Sequence, residues 1–287
     1  MEDVYKLKFE QFPKALLEIP QPPKTLYIRG KLPDPEFKYL AVVGSRRYTS
    51  YGKEMCQKLI LGLKNYPIVI VSGLAIGIDS IAHRAALDAG LLTVSFPGSG
   101  LDNSVIHPRS NIRLAQEIVD KGGCLISELE PSWKATLYSF PKRNRLMAGI
   151  SRAVLIIEAE EKSGSLITAR MALDYNRDVF AVPGSAFSSN SNGTNWLIKQ
   201  GAIPVTTSED ILLALGFEVE KPMKTDKEKY IDCDKNEMKV IELLREPMDR
   251  NDLIRELKMD TGTANALLSM MELKELIKEE LSQIRKN

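Results

Sequence analysis

Short apolar runs alternate with amphipathic stretches along most of this 287-residue chain. The runs are continuous aliphatic stretches rather than alternating polar and apolar residues, and they occupy 40–43, 68–71, 93–96, 124–127, 153–157 and 179–182. Strands buried on both faces have this composition, because helices cover both sides of a parallel sheet. The runs therefore predict the central strands of one buried sheet.

Helical periodicity fills the intervals between these runs, at 51–64, 79–89, 109–121, 141–150 and 165–175. Regular alternation of strands and helices is typical of a doubly wound α/β domain with a mainly parallel sheet. We predict such a Rossmann-like domain over residues 36–217.

The two ends of the chain differ from this pattern. Residues 1–35 are rich in proline, which blocks long helices, and they predict a lead-in over the domain surface with one short strand at 25–29. The charged stretch 218–235 predicts a linker. Residues 236–287 predict a small winged-helix-like unit with little room for a full wing. Its helical patterns are 236–245, 249–257 and 261–273, and Leu276, Ile277 and Leu281 predict a short hairpin.

Composition narrows the function classes. The 39 basic and 38 acidic side chains give a net charge of +1, which does not indicate nucleic-acid binding, although a local patch can exist within a neutral total. No apolar run approaches the ~20 residues that span a bilayer, and the charged N-terminus is not a signal peptide. Three widely spaced cysteines predict reduced thiols in a cytoplasmic protein. We expect no membrane segment, no metal and no cofactor.

Glycines and polar residues cluster where the predicted strands end, at the edge where doubly wound sheets bind ligands. One loop carries Gly44, Ser45 and the Arg46–Arg47 pair, and the next carries Ser72 and Gly73. Glycine lets the backbone approach a ligand, a helix N-terminus favours anions, and arginine adds a charge-assisted fork for phosphate.

Three further loops follow later strands. The first contains Phe140 and the basic run 142–145. The second is the polar stretch from Glu158 to Ser165, which is followed by Thr168. The third contains the small residues 183–185. Each loop alone is typical of a turn or of a solvated surface. Five such loops on one edge favour a phosphate- or nucleotide-binding site.

Catalytic groups are scarce at this edge. Asp79 is interpreted as a helix cap or dipole partner, Glu158 as a member of a structural ion pair, and His83 as a packed helix residue. The sequence shows no nucleophile–base pair, so we predict a binding site without catalytic residues.

Several ordered motifs together resemble the DprA/Smf family, the DNA-processing protein A of bacterial natural transformation. They are VGSR at 43–46, SGLAIGID at 72–79, GLD at 100–102, FPKRNR at 140–145, SGSLITA at 163–169 and FAVPG at 180–184. The resemblance implies an extended Rossmann-like domain that binds and protects single-stranded DNA, loads the RecA recombinase onto it, works as a homodimer and has no enzymatic turnover.

The resemblance also implies a set of DNA-binding residues. A first wall would contain Gly44, Ser45 and Arg46 with Arg47, and Ser72 and Gly73 would form the floor. Lys142, Arg143, Asn144 and Arg145 would supply a basic wall, and Ser165 and Thr168 a hydroxyl edge. Phe140 would be either a base-stacking ring or a core residue.

Two departures from the family modify these expectations. About 35 residues precede the α/β domain, too few for the helical N-terminal module of many members. Residues 221–287 carry 14 basic and 15 acidic side chains, and 261–271 has no Lys or Arg. Since recognition helices use basic or amide side chains, we expect this unit to contact protein or support a dimer.

The residues disfavour two other functions. A hydrolase resembling the LOG-type phosphoribohydrolases would need a Pro-Gly-Gly-x-Gly-Thr stretch followed by a glutamate, and 96–102 lacks both the threonine and the glutamate. A winged-helix transcription factor is disfavoured by the acidic balance of the C-terminal unit.

Overall fold

The computed structural model describes residues 4–219, 230, 233–280 and 283–286. The chain divides into two compact units, Met1–Val219 and Glu220–Asn287. Strands of the first unit are β1 (Tyr5–Lys6), β2 (Tyr27–Gly30), β3 (Lys38–Val43), β4 (Ile68–Ser72), β5 (Leu92–Ser95), β6 (Cys124–Ser127), β7 (Ala153–Ile156), β8 (Asp178–Ala181) and β9 (Ile203–Pro204). Its helices are α1 (Lys14–Leu17), α2 (Ser50–Leu61), α3 (Ile78–Asp88), α4 (Ile112–Asp120), α5 (Ser139–Ile150), α6 (Gly164–Asp174), α7 (Ser189–Lys199) and α8 (Ser208–Ala214).

The described strands of this unit form one nine-stranded sheet in the order β1-β2-β6-β5-β4-β3-β7-β8-β9. From β6 to β9 all neighbours are parallel, and β2 joins β6 antiparallel. The chain winds one way from β3 to β6 and the other way from β7 to β9, so the winding reverses between β3 and β7. The predicted doubly wound, mainly parallel fold is confirmed, and its topological switch point lies between these two strands.

Side chains of β3 alternate between the two faces of the sheet, as strand geometry requires. Leu40 and Val42 pack with the core beneath α2 and α3, whereas Ala41 and Val43 pack with the core beneath α5 and α6. Burial on both faces is the physical reason that this strand is uniformly aliphatic.

The N-terminal segment differs from the predicted surface lead-in. Its strands β1 and β2 extend the sheet beside β6, and Leu16, Leu26 and Ile28 are fully buried. The prolines limit this segment to short elements, but its apolar residues still bury against the core. The segment is therefore part of the α/β unit.

Elements near the end of this unit, α7, β9 and α8, are absent from the sequence-based prediction. For α8 the signal was present, because Thr207 and Asp210 form a capping box at its start,. For α7 the sequence is polar and carries a glycine, which masks the helical pattern,.

The second unit contains α9 (Lys235–Leu243), α10 (Arg250–Leu257) and α11 (Thr261–Leu273) with β10 (Met248–Asp249), β11 (Ile277–Glu280) and β12 (Gln283–Lys286). Its described strands form a three-stranded sheet, β10-β12-β11. The sequence predicted little room for a wing, yet two four-residue strands suffice to build one. Leu281 and most of the predicted linker lie outside the described residues.

Candidate functional site

The loop after β3 forms the first wall of a cavity at the carboxyl edge of the sheet, which we call the main cavity. The Ser45 hydroxyl donates to the Arg47 carbonyl at 2.8 Å and accepts from the Arg47 N–H at 3.0 Å. A Cβ atom on Gly44 would lie 2.8 Å from the Ile78 side chain, so glycine allows the close approach of β3 to α3. Arg46 and Arg47 are exposed. The Ser45 hydroxyl is thus held within the turn, while both arginines are available to a ligand.

The loop after β4 supports the cavity from beneath. Ser72 is fully buried, and its hydroxyl donates to the Val42 carbonyl at 2.7 Å. The Gly73 carbonyl accepts from the Arg143 guanidinium. Neither Ser72 nor Gly73 is among the lining residues of the main cavity. The two residues hold the elements that form the cavity, and Gly73 also lines a small neighbouring pocket of about 80 Å³ together with Arg46 and Phe140.

A buried pair of opposite charges lies beside Gly73. Asp79 is in the first turn of α3, and Arg143 is in α5. Burial raises the pKa of Asp79, and the Arg143 guanidinium and the N–H groups of Ala75 and Gly73 oppose that rise. Burial lowers the pKa of Arg143 to about 10, which leaves the guanidinium charged at neutral pH. Asp79 therefore lies at the helix N-terminus, as predicted, and also faces a buried cation.

The basic run at the start of α5 does not form one accessible wall. Lys142 is exposed and Asn144 is half-buried, but Arg143 and Arg145 are both 7% exposed. Arg145 forms an ion pair with Glu128 and donates to the Gln21 carbonyl at 2.6 Å. Successive helical residues point in different directions, about 100° apart, so a run of four cannot share one face. The structure divides the run between a solvent-facing lysine and two arginines that fix α5 in place.

Phe140 lies between two polar partners at the mouth of the cavity. The Arg46 guanidinium carbon is 5.5 Å from the centre of its ring, and the ring of His107 is centred 5.9 Å away. A Cβ atom on Gly98 would lie 2.5 Å from the Phe140 ring. The ring is therefore packed on one side and half-buried, and its contact with Arg46 positions the guanidinium by a cation–π interaction.

Glu158 caps α2 rather than joining an ion pair. Its carboxylate accepts from the Thr49 N–H at 2.9 Å and from the Thr49 hydroxyl, and Thr49 is the N-cap of α2. The carboxylate also lies against Gly52, where a Cβ atom would come within 2.3 Å of it. The interpretation as an ion pair was wrong because two hydrogen-bond donors of the N-cap, rather than a cation, satisfy the carboxylate.

The loop that leads into α6 contributes residues that the sequence-based site omitted. Lys162 and Glu160 are exposed and line the cavity, and Ser163 is the N-cap of α6. Ser165 and Thr168, the predicted hydroxyl edge, line the cavity but are 8% and 1% exposed. The polar loop after β7 was the signal for Lys162, but surface lysines are too common for the sequence to single one out.

These loops enclose a cavity of about 500 Å³ above the ends of β3 and β7. Among its lining residues are four cationic side chains and two carboxylates, namely Arg46, Arg47, Arg143 and Lys162 with Asp79 and Glu160. The predicted residues that it brings together are Gly44, Ser45, Arg46, Arg47, Phe140, Arg143, Asn144, Ser165 and Thr168. The site is an open, cationic cavity suited to a polyanion.

A second cavity of about 400 Å³ lies on the other side of α5. Lys142 and Arg145, which do not line the main cavity, line this one together with Lys24 and Thr25. Arg143 lines both cavities, so α5 separates two neighbouring basins along the same sheet edge.

Within the described ranges, no group of three or more His, Cys, Asp or Glu side chains is arranged to hold a metal ion. His83 is fully buried, and its Nδ1 lies 2.7 Å from the Thr93 hydroxyl. Burial lowers the pKa of His83 to about 3, so the imidazole is neutral. None of the helices in the described part of the chain is long and apolar enough to cross a lipid bilayer.

The chain is therefore an α/β protein with a doubly wound sheet and a cationic cavity at the switch point of that sheet. Residues 4–216 match the family described as DNA recombination-mediator protein A. The chain belongs to this family, the DprA/Smf family.

Individual relatives agree with this assignment. The chain is 43% identical over 208 residues to Protein Smf of Escherichia coli, covering 72% of this chain and 55% of that protein. It is 43% identical over 206 residues to the DNA processing protein DprA of Streptococcus pneumoniae, covering 72% of each. The chain therefore spans only about half the length of the Escherichia coli relative.

Two solved structures share the fold. The X-ray structure of DprA from Streptococcus pneumoniae superimposes with a TM-score of 0.67 at 39% identity, covering 75% of each chain. A structure of DNA processing protein A from Helicobacter pylori, reported for its single-stranded DNA binding mode, has a TM-score of 0.66 at 33% identity and covers 75% of this chain and 98% of that one.

Proposed function

We propose that the main cavity binds the phosphates of single-stranded DNA and that the chain is a DNA-processing protein without enzymatic turnover. The cavity carries the proposal, because Arg46, Arg47 and Lys162 converge there from loops of two adjacent strands above the buried Arg143. Lys and Arg that neutralise phosphates supply most of the affinity of sequence-independent binding. Membership of a family that includes a protein described for single-stranded DNA binding supports the choice of polyanion.

The shape of the site favours a single strand over a duplex. Phe140 and the closed turn at Ser45 form the rim of a recessed cavity. A flexible strand can bend its phosphates into such a recess and place a base against an aromatic ring. A rigid duplex presents its phosphates on a convex surface and reaches the rim only.

The predicted residues divide between two roles in this proposal. Gly44, Arg46, Arg47, Phe140 and Asn144 contact the strand directly. Ser45, Ser72, Gly73, Arg143, Arg145, Ser165 and Thr168 hold the loops and helices around it, because their polar groups are buried. Lys142 contacts the strand from the second cavity.

A salt titration of binding tests this function. Fluorescence anisotropy with labelled oligo-dT and with a duplex of equal length gives both affinities at several salt concentrations. Three or four phosphate contacts predict a slope of about −2 to −3 in log K against log salt for the single strand, and weaker binding of the duplex. Equal affinities for the two DNA forms, or binding insensitive to salt, contradict the proposal. Release of free base from nucleoside monophosphates contradicts the absence of turnover.

We further propose that the chain forms a homodimer through the β9 edge of its sheet. β9 is the terminal strand of the sheet order, and apolar side chains are exposed around it: Trp196 is 46%, Ile203 40% and Leu213 61% exposed. An open apolar sheet edge is a ready surface for a second copy. Analytical ultracentrifugation of wild-type protein and of Ile203→Asp tests this, with a monomeric wild type as the contrary outcome.

Family membership supports the proposal that the chain loads RecA onto the bound strand. The predicted cytoplasmic location is kept as part of this proposal. RecA loading is measured by following the ATP hydrolysis that DNA stimulates in RecA, on a strand that is covered with single-strand-binding protein. We expect the chain to shorten the lag before hydrolysis. An unchanged lag removes RecA from the proposal and leaves DNA binding in place.

A further inference from the structure

The segment between β6 and α5 exposes an unusual density of large apolar side chains. Trp133 is 51%, Leu137 is 85% and Tyr138 is 89% exposed. Single exposed apolar residues are normal on a protein surface. Three of them within six residues, beside a cationic cavity, indicate an interaction surface.

The backbone of this segment is anchored, so the positions from which the side chains project are fixed. The Gly100 N–H donates to the Trp133 carbonyl at 2.8 Å, and the Asp102 N–H donates to the Pro131 carbonyl at 3.0 Å. A Cβ atom on Gly100 would lie 2.1 Å from the Glu130 carbonyl, which shows how closely the two loops pack. A backbone fixed in this way loses little conformational entropy when a ligand binds.

The C-terminal end of the segment is tied to the sheet edge as well. The Ser139 hydroxyl donates to the Gly98 carbonyl and accepts from the Thr136 N–H at 3.0 Å. Tyr138 is the N-cap of α5, and Phe140, two residues later, lines the main cavity. The exposed rings therefore continue from the rim of the cavity along the protein surface.

Charge around the rings favours a polyanion. Lys134 and Lys142 are exposed and form no salt bridge with any residue in the described ranges. The neighbouring carboxylates are engaged, since Glu128 pairs with Arg145 and Glu130 accepts from the Tyr27 hydroxyl at 2.7 Å. Aromatic rings interspersed with lysines are the arrangement that stacks bases while following a phosphate backbone.

We propose that Trp133 and Tyr138, flanked by Lys134 and Lys142, form a stacking platform for bases of a single strand that leaves the main cavity. The proposal rests on the proposed function of that cavity and extends the binding path beyond it. The platform is tolerant of sequence because every base has a face to stack.

Tryptophan fluorescence tests the platform directly. The chain contains two tryptophans, so the conservative variant Trp196→Phe leaves Trp133 as the reporter. We expect the fluorescence of Trp133 to be quenched by an oligo-dT that is long enough to extend beyond the cavity. Strands of the same length whose outer positions are abasic keep the phosphates and are expected to quench far less. Equal quenching by both strands, or none by either, overturns the platform.

Affinity measurements provide a second test. Trp133→Ala and Tyr138→Ala are expected to weaken binding of a long strand about fivefold each, the lower end of what a stacked base contributes, and to leave binding of a strand confined to the cavity unchanged. Leu61→Ala, which removes an exposed apolar side chain at the end of α2, is the control and is expected to bind normally.

The two proposals fail in different ways. If the wild-type protein binds no single strand, the proposed function fails. Suppose instead that the wild-type protein binds a single strand and that Arg46→Ala weakens this binding. If both platform variants then bind long strands like the wild type, only the platform is wrong. In that outcome the exposed rings serve another partner, such as a protein.

Discussion

Asp79 and Arg143 are both buried against the Gly73 backbone, at the position that a side chain of residue 73 would occupy. The Gly73 carbonyl accepts from the Arg143 guanidinium, and the Gly73 N–H opposes the rise in the pKa of Asp79 that burial causes. A Cβ atom at Gly73 would lie 2.0 Å from Arg143 and 2.6 Å from Asp79. The three residues thus connect the loop after β4 with α3 and α5 beneath the main cavity. These contacts fix the positions of the elements that form the cavity walls.

Removing the charge of Asp79 is expected to destabilise the fold. Asp79→Asn leaves the buried Arg143 without its counter-charge, and breaking a buried pair typically costs about 3 kcal/mol. Urea unfolding measures the change. Asp88→Asn, an exposed carboxylate on the same helix, is the matched control and should change little. Similar losses in both variants would show that Asp79 does not stabilise Arg143.

Loss of the exposed cations of the cavity is expected to weaken DNA binding without unfolding. Arg46→Ala and Lys162→Ala should each weaken single-strand binding severalfold and each lower the salt slope by about 0.7, the contribution of one phosphate contact to a single strand. Anisotropy titrations at several salt concentrations give both quantities.

The matched control for these variants is Lys64→Ala. It removes the same charge from the turn that precedes β4, at the opposite edge of the sheet. Unchanged affinity in both cavity variants, or an equal loss in Lys64→Ala, would mean that the strand binds elsewhere.

The cap of α2 is expected to contribute measurably to stability. Thr49→Ala removes the acceptor of the Gly52 N–H and one donor to Glu158, and loss of such a cap costs about 1–2 kcal/mol. The denaturation midpoint reports the change. Ser50→Ala alters the exposed neighbouring residue and should have a small effect. If the two variants match, the Thr49–Glu158 contact contributes little.

His83 is expected to make the fold less stable in mild acid. Its pKa is about 3 in the folded chain, against an ordinary value of 6.5. Between these values the unfolded chain binds a proton that the folded chain does not, so the free energy of unfolding falls as pH drops below about 6.5. Above that pH the contribution is fully present.

Comparing the wild type with His83→Gln isolates this contribution. Burial shifts the pKa of Asp79 upward, which acts in the opposite direction in acid, but Asp79 is present in both proteins and cancels in the difference. Unfolding free energies at pH 7 and pH 5 are expected to differ more in the wild type than in His83→Gln. Equal differences would show that His83 takes up its proton while folded.

The second unit is expected to be dispensable for single-strand binding. Its α11 contains no Lys or Arg, and Arg250 is engaged by Glu272 and Glu279. A chain ending at residue 219 should therefore bind oligo-dT like the full chain. A large loss of affinity would assign DNA contacts to this unit.

Sequence patterns sufficed for the architecture of the α/β unit. Continuous aliphatic runs located β3, β4 and β7 to within two residues, because only strands covered on both faces have that composition. The predicted strand at 25–29 corresponds to β2, but β1 and the burial of the N-terminal segment escaped prediction. Prolines obscure the pattern there, while the apolar residues between them are buried by distant elements.

The candidate site was predicted less completely than the fold. The sequence alone determined which loops meet at the carboxyl edge, because chain order and strand direction follow from local pattern. Only the tertiary structure decided which basic side chains face a ligand: Arg46 and Lys162 remain in solvent, whereas Arg143 and Arg145 turn inward to buried partners. That choice depends on helix rotation and on contacts between residues far apart in the chain, such as Arg145 with Glu128, which no local pattern specifies.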